Sequence, residues 1–344
     1  MDWLLGKTLE ELTTLAVQQG LPSYVGRQMA DWLYRKKAGT IDAMTNLPKA
    51  ARATLSRQFE VGGFAPATVR QSTDGTKKYL FPTRAGHFIE TVMIPDAART
   101  TLCVSSQAGC RMGCRFCMTA RQGFQGNLSA GEILAQFHHV AGNDRLTNAV
   151  YMGMGEPMDN LEEVLTSLHI LTAPWGWAWS PRRITVSTIG ITPAVRRFLD
   201  ESDCHLAISL HNPFDAERRS LMPMQKTWPI ADIVRQLRTC DFSGQRRVSF
   251  EYILFAGLND SGRHVNELAR LLHGLECRIN LIRFHPVPGS PLRSPSDEQM
   301  IQFRNRLAQK GLLTTTRASR GQDIMAACGL LSTEPLNIDV KRKA

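Results

Sequence analysis

What the sequence lacks narrows the field first. No apolar run approaches the ~20 residues needed to cross a bilayer, so no membrane-spanning helix is expected. The opening residues, MDWLLGKTLEELTT, turn acidic after one lysine and carry no cleavage-site pattern, which speaks against a secretory leader. Cysteine is sparse, eight in 344 residues, and too scattered for the disulfide framework of a small secreted domain. The expectation is a cytoplasmic, monomeric chain with reduced thiols and no membrane partner. Acid is also short: 31 Asp and Glu stand against 41 Lys and Arg, a net charge of +10. Much of the excess falls in doublets, Lys77–Lys78, Arg182–Arg183, Arg196–Arg197, Arg218–Arg219 and Arg246–Arg247. A solvated surface explains any one of them. Spread over the whole chain, they favour a polyanion such as nucleic acid.

What is present sets the fold class. Hydrophobic content of 43% supports a sizeable core. Residues 1–60 read as helical, with Thr8 and Glu11 spaced as a capping box, and residues 65–98 read as strands around an Asp-Gly turn. From residue 99 a strand–loop–helix unit repeats, with strands expected at 100–106, 147–153, 182–188, 204–210, 247–255 and 278–284, and a seventh in LLTTTRA. Helix starts are marked by Ser129 with Glu132, by Asp159, by Pro229 and by Ser296 with Gln299. Such alternation implies an α/β fold with a parallel sheet. Six units fall short of a closed eight-fold barrel, so an open, partial (β/α)6 barrel is expected, with its chemistry at the C-terminal strand ends. The expected division is a small α+β appendage over 1–98, a core over 99–326 and a C-terminal segment over 327–344 that carries Cys328.

The motifs sit where that rule requires. CRMGCRFC, directly after the first core strand, places Cys110, Cys114 and Cys117 in a CxxxCxxC spacing. Three thiolates can hold three irons of a cubane and leave the fourth iron open. The rival is a zinc site completed by a distant Cys or His. MGMGEPM ends the next strand, with glycines that let backbone approach a ligand closely and Glu156 to receive an ammonium. No Gly-Lys-Ser/Thr follows, which excludes a phosphate loop. Ser187, Ser209, Leu210 and His211 close two further strands; alone they read as ordinary strand polarity and a structural histidine. Cys103 shares a strand face with Thr101 and Ser105, toward the barrel interior, and balances evenly against a small apolar filler. Cys328, in DIMAACGLL, reads by itself as a buried thiol at a helix start. Glu90 interrupts the apolar stripe of Phe88, Val92 and Ile94, and spacing alone favours an exposed strand edge.

Together, LCVSSQAGCRMGCRFC, GMGEP, STIG, ISLH, INLI and RGQDIMAACG resemble the RlmN/Cfr family of radical S-adenosylmethionine RNA methyltransferases. The likeness runs over nearly the whole chain and includes an N-terminal RNA-binding appendage. It implies one [4Fe–4S] cluster on Cys110, Cys114 and Cys117. Contacts to S-adenosylmethionine would come from Gly155, Glu156, Ser187, Ser209, Leu210 and His211. His285 stands where the family has an asparagine. The resemblance further implies that Cys328 is methylated first, that Cys103 later releases the product with a disulfide left behind, and that Glu90 is the acid–base carboxylate. Two S-adenosylmethionine molecules would be used per turnover. The implied substrate is 23S ribosomal RNA, methylated at adenine C2, with transfer RNA as a second substrate and a flavodoxin or ferredoxin as electron donor. The alternatives are C8 methylation of the same adenine, which confers antibiotic resistance, a non-methylating radical activase, and a zinc-bearing RNA-binding protein without catalysis.

Overall fold

The structure, a computed structural model, describes residues 1–242, 244 and 246–333. Residues 334–344 of the expected C-terminal segment lie outside them. The chain begins as a small helical module: α1 (Leu9–Gln18), α2 (Tyr24–Ala30), running on into a wide π turn over Asp31–Arg35, and α3 (Lys49–Ser56). The Thr8 capping box forms as expected: the Thr8 hydroxyl accepts from the Glu11 N–H, and the Glu11 carboxylate accepts from the Thr8 N–H at 2.6 Å. Buried Tyr34 ties the module's entrance, donating to the Lys7 carbonyl at 2.6 Å and accepting from the Gly6 N–H at 3.2 Å. Gly6 adopts φ +97°, and a Cβ there would fall 2.3 Å from the Gly131 nitrogen. That close approach seats the module on α5 (Ala130–His138).

The rest of the chain builds one ten-stranded sheet among the described residues, and its spatial order is its sequence order. Strands β1 (Thr68–Gln71), β2 (Lys77–Pro82), β3 (Phe88–Asp96) and β4 (Arg99–Cys103) form an antiparallel meander. From β4 onward every pair is parallel: β5 (Asn148–Tyr151), β6 (Ile184–Thr188), β7 (His205–Ser209), β8 (Val248–Leu254), β9 (Arg278–Arg283) and β10 (Thr314–Thr316). The intervening helices include α4 (Met118–Gln122), α6 (Leu161–Thr172), α7 (Thr192–Glu201), α8 (Asp215–Leu221), α9 (Ile230–Leu237), α10 (Gly262–Leu272) and α11 (Asp297–Gln309). The meander grouped with the appendage by composition continues the core sheet, because β3 and β4 pair from Val92–Cys103 to Asp96–Arg99 across a tight turn.

Two sequence readings are corrected here. Asp159 does not cap α6; it lies in a short 3-10 turn, and the helix starts after Asn160. Asp159 instead pairs with Arg111 at 2.9 Å. Two basic doublets also fail to present both members outward. The side-chain alternation of β2 turns Lys78 inward, and Arg218, in the short helix Asp215–Leu221, is fully buried.

Candidate active site

The three-cysteine loop is shaped by backbone that only glycine adopts cheaply. Gly109 (φ +70°) would drive a Cβ to within 1.7 Å of the Gly123 carbonyl, the same carbonyl that accepts the Cys110 N–H at 3.1 Å. The Arg115 N–H donates to the Leu221 carbonyl at 2.9 Å, anchoring the loop to the helix that carries Arg218. Phe116 packs edge-on to the His211 ring (centroids 5.0 Å apart) and against Phe255, within an apolar cluster that also includes Cys110. All eight cysteines are free thiols. Burial pushes Cys110 up to about 12 and raises Cys114 well above the ordinary thiol range, and each is raised further by its neighbouring cysteines. A site like this holds thiolates only if a strong cation compensates them. No three His, Cys, Asp or Glu side chains among the described residues converge on one point as ligands of a single ion do. Three thiols on one short loop suit a cubane, in which each thiolate takes its own corner iron.

Beside this loop, the turn after β5 presents Glu156. Gly155 (φ +97°) lies so close to Gln107 that a Cβ would meet its side chain at 2.5 Å, and the Glu156 N–H donates to Gln107 Oε1 at 2.8 Å. The Glu156 carboxylate is buried and accepts from the Ile189 N–H (2.9 Å) and the Met158 N–H (3.1 Å). Burial outweighs these bonds and lifts its pKa to about 7. A cationic amine arriving here needs the carboxylate form, so protonation competes with it. With Glu156 as the ammonium contact that the resemblance implies, S-adenosylmethionine affinity should be nearly flat from pH 8 down to pH 7 and fall about tenfold per unit below that. Anaerobic calorimetry across this range checks the slope, which Glu156→Gln should flatten.

The next strand ends are held by a group that sequence reasoning missed. Arg218, 1% exposed, donates to the carbonyls of Leu210 (3.0 Å), Ser209 (2.8 Å) and Ile189 (3.0 Å) and to Gln225. It thereby fixes the backbone of two predicted ligand-binding turns. His211 sits in the left-handed region (φ +54°), stabilised where its Nδ1 accepts the Ile253 N–H at 3.0 Å and its carbonyl accepts from Asn259 at 2.7 Å. Burial, with Arg218 nearby, lowers the His211 pKa to about 3, so the ring is neutral with its proton on Nε2, a donor. Ser187 and Ser209 are half-buried at their strand ends.

A cavity of about 570 Å³ opens on the other side of the cysteine loop, and Cys103, Cys117, His285, Arg317 and Cys328 all line it. Cys103 is buried on β4, its thiol pushed up to about 12 by burial. Cys328 is exposed and lies in a turn, not buried at a helix start. The strap that carries it is fixed at both ends. Asp323 accepts from the Ser72 hydroxyl at 2.6 Å, while the Met118 N–H donates to the Gly329 carbonyl at 2.8 Å, joining the strap directly to the cysteine loop. His285 Nε2 meets Ser319 Oγ at 3.0 Å, so the residue in the family asparagine's place braces the same strap. Arg317 was also missed. Its N–H donates to the Leu281 carbonyl (2.8 Å) and its guanidinium reaches Met152 Sδ (3.1 Å), which puts a cation within electrostatic reach of both Cys103 and Cys328.

Glu90 is buried, against the exposed-edge reading, and lies behind the strap rather than on the cavity wall. It pairs with Lys78 at 2.8 Å, both side chains under 10% exposed, and accepts from the Ser332 N–H at 3.0 Å. Lys78 also donates to the Met325 carbonyl at 3.2 Å. Burial raises the Glu90 pKa even though Lys78 opposes it. Lys78→Met should leave a buried carboxylate uncompensated and cost about 3–5 kcal/mol. Urea unfolding checks this, and adding Glu90→Gln should recover most of the loss. The structure thus gathers Cys103, Cys117, His285 and Cys328 around one cavity. Glu156 and His211 face the cysteine loop instead, and Glu90 supports the strap.

Known proteins place this arrangement in a class. Residues 104–272 match the radical SAM superfamily, the class of enzyme that this sheet and three-thiol loop define, and with it come a [4Fe–4S] cluster and S-adenosylmethionine. Residues 3–61 match the ribosomal RNA large subunit methyltransferase N-terminal domain. The probable dual-specificity RNA methyltransferase RlmN of Bacteroides thetaiotaomicron is 55% identical over 330 residues, covering 96% of both chains. The Desulfotalea psychrophila dual-specificity RNA methyltransferase RlmN is 42% identical over 337 residues, 94% of this chain and 93% of that one. A radical SAM methyltransferase from Sphaerobacter thermophilus superposes with a TM-score of 0.90 at 43% identity, over 96% of this chain and 99% of that chain. The chain belongs to the RlmN family of radical SAM methyltransferases. Among the described residues no helix is long and apolar enough to cross a membrane.

Proposed function

We propose that this enzyme methylates C2 of adenine 2503 in 23S ribosomal RNA, and of adenine 37 in transfer RNA, through a methylated Cys328 and two S-adenosylmethionine molecules per turnover. The observation that carries the reading is the pair of free thiols, Cys103 and Cys328, lining one cavity that also reaches cluster ligand Cys117. Radical chemistry without a protein-borne methyl needs neither of those two cysteines. Residues 1–98 would contact RNA, 99–326 would hold the cofactors and 327–344 would present Cys328.

Cys110, Cys114 and Cys117 would hold the cluster, with Gly155, Glu156, Ser187, Ser209, Leu210, His211 and His285 around S-adenosylmethionine. When bound, these groups supply a methyl cation equivalent and, after one-electron reduction, a hydrogen-abstracting radical. The protein does the rest. As thiolate, Cys328 takes the methyl group, forming an S–C bond while the sulfonium leaves as a neutral thioether. Once that methyl has lost a hydrogen atom, its carbon can bond to adenine C2, an electrophilic ring position poorly served by direct methyl transfer. Restoring the ring then requires loss of the C2 proton and of one electron: Glu90, its pKa raised by burial and set behind the strap, would accept the proton by relay, and the electron would return to the cluster. Cys103 then attacks the Cys328 sulfur. An S–S bond forms, the carbon departs with the electron pair and is protonated, and an external thiol must reduce the disulfide. Arg317 favours the Cys103 thiolate for this step against the burial that opposes it.

Anaerobic turnover on unmodified 23S RNA, followed by digestion and nucleoside mass spectrometry, tests the proposal. 2-Methyladenosine is the expected product. 8-Methyladenosine would move the chain to the resistance chemistry, and 5′-deoxyadenosine without methylated nucleoside would overturn the RNA substrate.

A further inference from the structure

The cysteine loop separates two cavities. Cys117 lines the one that holds Cys103 and Cys328, whereas Cys114 lines a second, of about 440 Å³, that shares no lining residue with it. The second recess has an apolar floor of Ala120, Leu221, Leu258, Pro291 and Leu292. Its rim carries Arg115 and Arg121, both exposed. No acidic side chain lines it, and neither arginine makes an ion pair among the described residues; the Arg121 guanidinium donates only to the Pro288 carbonyl. Cys114 is mostly buried but lines the recess, so a cluster ligand comes to its wall.

From this geometry we infer that the recess beside Cys114 is the docking surface for a small acidic electron-transfer protein, with Arg115 and Arg121 receiving its carboxylates. The inference rests on the reading that Cys110, Cys114 and Cys117 hold the cluster. Each encounter passes one electron: the partner's reduced flavin or iron–sulfur centre is oxidised by one electron, the cluster is reduced by one, and no covalent bond is made or broken. The floor favours a protein over RNA. Phosphates would use the two cations but gain nothing from five apolar side chains, whereas an apolar edge rimmed by carboxylates fits both. The position also leaves the large cavity free, so substrate and reductant would not compete for one face.

Stopped-flow mixing of the anaerobically reconstituted protein with flavodoxin hydroquinone, following loss of cluster absorbance, tests this. Opposite charges accelerate encounter, so Arg115→Glu with Arg121→Glu should slow reduction about tenfold or more and flatten its dependence on salt. Arg115→Gln with Arg121→Gln should fall between, which guards against a misfolded charge reversal. Reduction by dithionite should match wild type in both variants. Arg306→Glu, exposed on α11, with Lys310→Glu, exposed just past its end, should leave flavodoxin rates unchanged. An unchanged flavodoxin rate in the recess variants, or equal slowing with dithionite, would overturn the proposal. So would weaker RNA binding with flavodoxin reduction intact, which would assign the face to RNA. Absence of a cluster spectrum in the wild type would instead overturn the cluster assignment itself.

Discussion

Replacing Cys328 with alanine is expected to lower methylated nucleoside by about 10⁴-fold or more, the scale of losing a covalent nucleophile, while the cluster and the fold survive. The separation follows from where the side chain sits. Cys328 is exposed in the cavity, and the strap is tied by neighbours: the Gly329 carbonyl to the Met118 N–H, the Leu331 carbonyl to Thr119, and Ser332 to Glu90. None of these bonds uses the thiol. Cluster absorbance and S-adenosylmethionine affinity should therefore stay within twofold of wild type, a scale of about 0.4 kcal/mol. Mass spectrometry of the digested RNA, alongside the cluster spectrum, checks both halves. Appreciable product from the alanine variant would remove Cys328 from the methyl's path.

The second large effect concerns Cys103. Its replacement by alanine should permit every step up to carbon–carbon bond formation and then stop, because no thiolate remains to attack the Cys328 sulfur. RNA would accumulate covalently attached to Cys328, approaching one equivalent, with free product close to zero. Denaturing gel electrophoresis shows the adduct, and peptide mass spectrometry locates it on the peptide containing residue 328. Removing one sulfur from β4, where Cys103 sits between Val92 and Val150 in register, creates only a small void at a cost of about 1 kcal/mol. An adduct is therefore not a consequence of unfolding. Cys103→Ala enzyme that released product normally would show that some other group frees it.

Much of the site could be read locally. The loop spacing of Cys110, Cys114 and Cys117, the glycines before Glu156 and the capping boxes at Thr8, Ser129 and Ser296 are all set within a few residues, so short-range pattern suffices. What could not be read depends on partners far along the chain. Lys78 looked like half of a surface doublet because its partner Glu90 and its contact Met325 belong to other strands and loops. Arg218 looked like a phosphate ligand because the carbonyls it binds, at Ile189, Ser209 and Leu210, converge only after β6 and β7 pair. Arg317 gave no local signal, since its role comes from contacts with Leu281 on β9 and Met152 after β5. Glu90 followed the same logic: alternation placed it on an apolar face, but only the C-terminal strap buries it. The doublets left outside, such as Arg196–Arg197, form surface ion pairs with Asp200, Glu162 and Glu201 that contribute little to stability.

The central claim is that the methyl reaches RNA by way of Cys328, and isotope transfer in the first turnover tests it most directly. Enzyme whose Cys328 carries a trideuteromethyl group, freed of labelled S-adenosylmethionine, would be given unlabelled S-adenosylmethionine, reductant and unmodified RNA. One deuterium is lost on radical formation and one solvent proton is gained on release, so the account predicts 2-methyladenosine carrying two deuterium atoms. Product without deuterium would mean that the methyl bypassed the protein, and product with three would mean that it was transferred intact without a radical step.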